Sequence, residues 1–244
     1  LQQNEMQSPR VNDPEGICMS DDRFHTYSPQ DGHGLSHDPF NAIIAPRPIG
    51  WISTIDTEGV PNLAPYSFFN AFNYTPPIIG FSSIGWKDTV RNAQQTGEFV
   101  WNLVTRPLVG RMNLSSAAFD RQIDEFDVAR LAKIPSCRVR PPRVAASPVQ
   151  LECRVTQIVQ LEAASGERLK SWLTLGEVVT VHIDRSFVSK GNYETAAARP
   201  VLRAGGAGWY SELAEASMFD LRRPSSSDTA LDEGAGLPVL PSTP

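Results

Sequence analysis

Cysteine is scarce. The 244 residues hold three, Cys18, Cys137 and Cys153, widely spaced and without a CxxC pair. An odd, scattered set argues against a disulfide framework and suits a reducing compartment, so a cytoplasmic protein is expected. Of the four histidines, His25, His33 and His37 crowd into a polar stretch broken by Gly and Pro. That reads as surface loop rather than ligand spacing, and no metal site is expected. No apolar run approaches the roughly 18 residues that cross a bilayer, so no membrane partner is expected. The first residues, Leu1-Gln2-Gln3-Asn4-Glu5, show neither the basic start nor the apolar stretch of a secretion signal. Positive charge is not in excess either. With 22 basic and 27 acidic residues the net charge is -5 and the pI near 5.4. This balance argues against the basic stripe of a duplex nucleic-acid binder, and no nucleic-acid partner is expected.

What is present is ordinary globular material. Apolar residues make up 41%, and the 17 glycines bring the share to about 48%, enough for a real core in one domain or a pair of small ones. Proline is enriched, with 20 residues lying partly toward the ends of the chain. Residues 1–38 are polar and turn-rich, and the chain from Arg222 onward lacks periodicity. An N-terminal arm (1–38), one domain (39–221) and a flexible C-terminal tail (222–244) are the expected organisation.

The middle reads as short strands. Pro48 to Asp56 carries β-branched and aromatic residues and meets the turn Thr57-Glu58-Gly59; Asn62 to Asn70 follows, which makes a hairpin. Pro65 within the second run implies an edge, bulge or strand end, because proline donates no ladder bond. Pro77 to Ser82 reads as a short buried strand. Asp88 is placed to cap a helix over Thr89 to Gln95 that Gly97 ends. Glu98 to Val104 reads as a strand and Pro107 to Ala118 as a helix. Val149, Leu151, Cys153 and Val155 alternate with polar residues. Trp172 to Ile183 makes a long strand with a bend at Gly176. Many strands without strand–helix alternation favour a β-barrel or sandwich.

Two segments carry chemistry. In Gly80-Phe81-Ser82-Ser83-Ile84-Gly85-Trp86-Lys87-Asp88-Thr89, a buried strand ends in hydroxyls, turns through glycine and enters a helix beside an ammonium group. Hydroxyls, a lysine and free N–H groups at a helix start are what a phosphate needs; the plain alternative is a capped helix with a solvated lysine. It is not a nucleotide P-loop. Gly80 and Gly85 have the spacing, but Trp86 precedes the lysine and Asp88 follows it. The second segment is the hairpin, which places short polar side chains and exposed backbone groups beside the bulky Trp51, Phe68 and Phe69. A flat amphipathic ring system wants such a mixture, and so does a plain hydrophobic core.

Pro46-Arg47-Pro48-Ile49-Gly50-Trp51-Ile52-Ser53-Thr54, then Asn62 to Asn70, then Lys87-Asp88-Thr89 with Asn92 resemble the flavin reductase-like family. These are FMN-binding split barrels, a group that includes flavoredoxin and the reductase component of nitrilotriacetate monooxygenase. The resemblance continues in order through Gly97 to Leu103, Asp124-Glu125-Phe126, Leu151-Glu152-Cys153, Gly176 to Val179 and Arg203 to Gly206. One departure is Ala204, where the family usually carries leucine.

The resemblance implies a mainly β fold, a six-stranded Greek-key split barrel with a few short helices, forming a homodimer with FMN near the interface. It implies an oxidoreductase, an NAD(P)H-dependent flavin reductase supplying a partner such as a monooxygenase. The alternatives are a flavoenzyme that keeps its FMN and acts on an organic substrate, or an electron-transfer flavoprotein. Ser53, Thr54, Ser67, Phe68, Phe69 and Asn70, with Trp51 and Ile52, would line the ring and ribityl chain. Ser82, Ser83, Lys87 and Thr89 would hold the phosphate, with Asp88 as helix cap and Asn92 and Arg47 assisting. His182 is either a half-buried strand histidine bonded to a neighbour or a polar group at the flavin's open face that steers NADH, NADPH or a substrate. Arg203 and Tyr210 would close the pocket or a dimer contact. Gly206-Ala207-Gly208 is no dinucleotide fingerprint, since the third glycine and the strand–helix context are missing.

Overall fold

The computed structural model describes residues 23–237; Cys18 and the expectations on residues 1–22 and 238–244 lie outside them. The described chain opens with helix α1 (Phe40–Ile43), then strands β1 (Arg47–Pro48), β2 (Gly50–Ile55), β3 (Pro61–Tyr66), β4 (Phe69–Asn73) and β5 (Ile78–Ile84). Helix α2 (Asp88–Thr96), β6 (Glu98–Asn102), α3 (Val109–Leu114) and α4 (Glu125–Val128) come next. Strands β7 (Lys133–Ile134), β8 (Arg143–Val144), β9 (Val149–Glu162), β10 (Arg168–Ile183), β11 (Val188–Ser189) and β12 (Asn192–Tyr193) follow. The described part finishes with β13 (Val201–Gly205), β14 (Trp209–Glu212) and α5 (Ser227–Ala235).

Seven strands form one antiparallel sheet in the order β3-β2-β6-β9-β10-β5-β4, and β1-β13-β14 form a smaller one. The β2–β3 hairpin closes on Asp56, whose carboxylate accepts from Glu58 N and Val60 N at 2.9 Å each. Neighbouring residues of β2 feed opposite cores, as the pleat requires. Trp51 packs with Leu63, Met112 and Phe126. Ile52 packs with Tyr66, Phe81, Val90 and Phe99 on the other side.

The sheet closes through one stretch of chain. β3 pairs with β2, and β4 pairs with β5 at the far edge. Between them Ser67 and Phe68 leave one ladder and join the other, with Ser82 N donating to Phe68 O at 2.8 Å. Counted as one strand, this stretch gives the six strands the resemblance implied. The partner switch breaks it in two and makes seven. It is also the split in the barrel, and Pro65 lies on the sheet edge beside it. At Gly176 the β9–β10 register shifts, and a Cβ there would lie 2.4 Å from the Phe99 ring.

Three local expectations are corrected. The N-cap of α2 is Lys87 rather than Asp88, which is already helical. The helix expected over Pro107–Ala118 is a 3₁₀ turn, Arg106–Leu108, followed by the shorter α3. The tail that lacked periodicity nevertheless forms α5. Among the described residues no helix is long and apolar enough to cross a membrane.

Candidate functional site

A pocket of about 450 Å³ opens at the split, bounded by β3, the Ser67–Phe68 switch, the end of β5 and the start of α2. At one end Gly85 makes the turn into the helix with φ 90°, a conformation that favours glycine. Helix geometry leaves the first N–H groups of α2 without intrahelical partners. Lys87, at the N-cap with extended backbone, offers no side-chain cap. These donors therefore face the pocket together with Lys87, Thr89 and Ser82, which line it. Asp88 also lines it, but its carboxylate is bonded by Arg91 one turn along.

The floor is a polar network behind Thr89. Asn62 Nδ2 donates to Thr89 Oγ1 at 2.9 Å and to Thr54 Oγ1 at 3.2 Å, and Asn92 Nδ2 also reaches Thr54 Oγ1. Thr89 Oγ1 accepts from Asn62 and keeps its own proton to donate, with the Tyr66 hydroxyl beside it. Tyr66 Oη lies buried near the Ser83 and Thr89 hydroxyls, and burial pushes the phenol up to about 12. Tyr66 Oη and Asn92 Oδ1 are buried and complete no hydrogen bond of standard geometry among the described residues. Such groups are rare enough to call for an explanation.

Glu125 forms part of the same wall. Asp124 accepts from Phe126 N at 2.9 Å and so starts α4, which carries Glu125 to the pocket. There Oε2 accepts from Leu63 N at 2.9 Å. Burial raises the Glu125 carboxyl above the ordinary range, the Leu63 bond works against this, and the charges of Asp124 and Asp88 add to the rise.

At the other end the switch is held by Arg47. Its Nε donates to Ser67 O at 3.0 Å and its Nη1 to Asn41 O at 2.7 Å and to Ile44 O, with the guanidinium 5.5 Å from the Phe68 ring centroid. Burial, then the charge of Arg203, lowers the pKa of Arg47. Arg47 thus fastens backbone at the rim.

The expected residues fall into three groups. Ser67, Phe68, Ser82, Lys87, Asp88 and Thr89 line the pocket together. Thr54, Asn92 and Ser83 stand behind them, Ser83 Oγ donating to Gly85 O at 2.9 Å. The others are not brought to the lining. Ile52 is in the core, Trp51 Nε1 donates to Ser115 Oγ at 3.0 Å, and Ser53 Oγ donates to Pro142 O at 2.5 Å. Phe69 stacks on Trp101 with centroids 5.6 Å apart, and the Asn70 side chain accepts from Ala71 N. His182 bonds Glu152, Nε2 to Oε1 at 2.6 Å, and is not part of the lining. Arg203 lies over Tyr210, centroid distance 5.0 Å, and both line a separate cavity of about 630 Å³ beside Arg106 and the start of α3.

Sequence reasoning missed Asn62, Tyr66, Glu125 and the segment Ser115–Phe119 as lining. Asn62 and Tyr66 sit at the two ends of a strand that had been singled out, so their alternation was available as a signal. Glu125 and Ser115–Phe119 arrive from elements with no sequence spacing relative to the helix start.

A curled antiparallel sheet with a pocket and an uncapped helix start at its split defines a split-barrel protein of the flavin-binding class. Comparison with known proteins agrees. The flavin reductase like domain matches residues 44–197, and the chain belongs to that family. It is 36% identical over 190 residues to an uncharacterised protein of Halalkalibacterium halodurans, covering 75% of this chain and 88% of that one. Among solved structures, component B of nitrilotriacetate monooxygenase from Bacillus cereus superposes with TM-score 0.70 at 28% identity, covering 90% of this chain and all of the other. The 2-nitrobenzoate 2-nitroreductase of Pseudomonas fluorescens gives TM-score 0.66 at 26% identity, covering 76% and 88%. The fold is thus that of FMN-binding oxidoreductases.

Proposed function

We propose that the chain binds FMN in this pocket and acts as an NAD(P)H-dependent flavin reductase, delivering reduced flavin or electrons to a partner such as a monooxygenase. The observation that carries this is the uncapped start of α2, where Lys87, Thr89 and Ser82 converge on one end of the pocket. The residues fit the group. A phosphate takes the ammonium, the hydroxyls and the helix N–H groups, and the unsatisfied Tyr66 hydroxyl lies close by in the same wall. Ala64, Pro65 and Phe68 supply apolar surface toward the rim. The volume falls within the ~300–1,000 Å³ usual for cofactor sites.

FMN held here would supply two-electron redox chemistry, with NADH or NADPH as the reductant. The protein's part is to anchor the phosphate at α2, to fix the rim through Arg47, and to set the charge beside the site through Glu125. Component B of a monooxygenase as a relative supports a reductase that serves a partner enzyme. A flavin-retaining enzyme that acts directly on an organic substrate is the second reading, favoured by the likeness to a nitroreductase. A homodimer in the cytoplasm, with the pocket near the subunit interface, completes the proposal.

The test uses the purified full chain. Flavin absorbance bands are expected after reconstitution with FMN, and prompt anaerobic bleaching is expected with NADH or NADPH. A colourless protein that does not take up FMN overturns the whole reading. A yellow protein bleached by neither nicotinamide overturns the reductase and turns the assignment to the second reading.

A further inference from the structure

His182 lies outside the pocket, yet its surroundings are built with care. Glu152 on β9 faces Thr180 across the ladder, so His182, two residues further along β10, lies diagonally on the same face. Cys137 comes from the loop between β7 and β8. Glu152 has no solvent exposure and is held in place by two backbone donors, Cys137 N at 2.7 Å to Oε1 and Arg138 N at 2.6 Å to Oε2. Burial pushes the Glu152 carboxyl up, but these bonds and the one from His182 outweigh it and hold the pKa below the ordinary range. Both Glu152 oxygens accept from backbone N–H groups, which fixes the carboxyl group in place with Oε1 2.6 Å from His182 Nε2.

Cys137 is exposed and its thiol is free. Its Sγ, a His182 ring nitrogen and a Glu152 oxygen all lie within 4.8 Å of one another. Thiolate, imidazole and carboxylate are the three donor types that take Zn²⁺, whose bonds of about 2.0–2.3 Å put tetrahedral ligands about 3.3–3.6 Å apart. A cation between His182 and Glu152 would take the place of the shared proton, widening their contact by under about 1 Å, while Sγ closes in from the loop. Arg140 of the same loop pairs with Glu98, and Arg143, at the start of β8, bonds Pro135 O and Gln150.

We propose that Cys137, Glu152 and His182 form a site for a zinc-class divalent cation, with water in the fourth position, that staples the β7–β8 loop to β9 and β10. The ion would be bound by the Cys137 thiolate, its proton released to solvent, and by neutral His182 through Nε2 with the ring proton on Nδ1. The thiolate and carboxylate together neutralise the ion. The site is separate from the pocket at the split and does not depend on the flavin proposal.

The full chain, stripped with EDTA, is titrated with Zn²⁺ in competition with a chromogenic chelator. One equivalent per chain is expected, with affinity at least tenfold weaker in Cys137→Ser and in His182→Gln. Zn²⁺ is also expected to slow alkylation of Cys137 by iodoacetamide at least tenfold, read by peptide mass spectrometry. Cys137 is exposed, so Cys137→Ser keeps the fold and carries the test even if His182→Gln does not. The double variant His25→Ala with His33→Ala is expected to bind as the wild type does. Absence of Zn²⁺ binding, equal binding by wild type and Cys137→Ser, or binding that leaves alkylation unchanged would each overturn the site.

Discussion

Glu125 sits where a carboxylate is costly, buried against β3 and near Asp124 and Asp88. Its folded-state pKa lies above the unfolded value of about 4.3, so over that window the folded state holds more protons than the unfolded one. The sign follows. The stability Glu125 contributes is fully present below the unfolded value and is lost as pH rises through the folded value. Glu125→Gln keeps an acceptor for Leu63 N and removes the titration. Denaturant melts at about pH 4 and about pH 7.5 are expected to show wild type losing more stability than the variant between them. The variant is also expected to bind FMN more tightly at the higher pH, because a negative charge has left the wall of an anion site. Equal losses in both proteins would remove Glu125 as the group responsible.

Helix α2 shows how an element makes a site that single residues do not. Its uncapped start, Lys87 and Thr89 work together, and Asn62 fixes Thr89 from the neighbouring strand. Charge-assisted hydrogen bonds are worth about 1.5–3 kcal/mol each, so Lys87→Ala with Thr89→Ala is expected to weaken FMN binding about 100-fold. Riboflavin, which lacks the phosphate, separates the roles: its affinity should change little, since its binding does not use the helix start. Fluorescence titration of both flavins reads this, and a matching loss for riboflavin would mean that the double variant damaged the pocket as a whole. This element was legible in the sequence because its chemistry is local, a run of hydroxyls, glycine, lysine and helix start within ten residues. The hairpin was legible as a hairpin, but its faces were not. β2 is buried on both sides, so it gives no period-two signal to say that Ser53 turns toward Pro142 while Thr54 backs the pocket. Phe69 and Asn70 lie just past the partner switch, which no single-strand pattern announces. Glu125 reaches the site only through tertiary packing, and Asp88 looked like a cap because the sequence does not show Arg91 taking its carboxylate.

At the scale of the whole molecule, the split that opens the pocket is paid for by a rim of uncovered apolar side chains. Ile84, which lines the pocket, is 65% exposed, and Phe40, Ile43, Ile44, Phe72 and Tyr74 are also exposed on the segments that flank it. Isolated exposed apolar residues are ordinary; six large ones on the segments around one opening point to a surface that another chain covers. The homodimer proposed for this family member supplies that cover, and it makes a quantitative demand. Light scattering on the FMN-loaded full chain should give twice the 26.8 kDa chain mass. If the pocket lies near the interface, dimer and cofactor are linked, because a ligand that prefers the dimer stabilises it by mass action. Dilution should then release FMN over the concentration range in which the mass falls toward that of the monomer, and added FMN should shift that range lower. Ile84→Lys, which puts charge on the rim, should move both transitions to higher protein concentration together. A monomer that holds FMN with undiminished affinity would show that the rim is complete without a second chain.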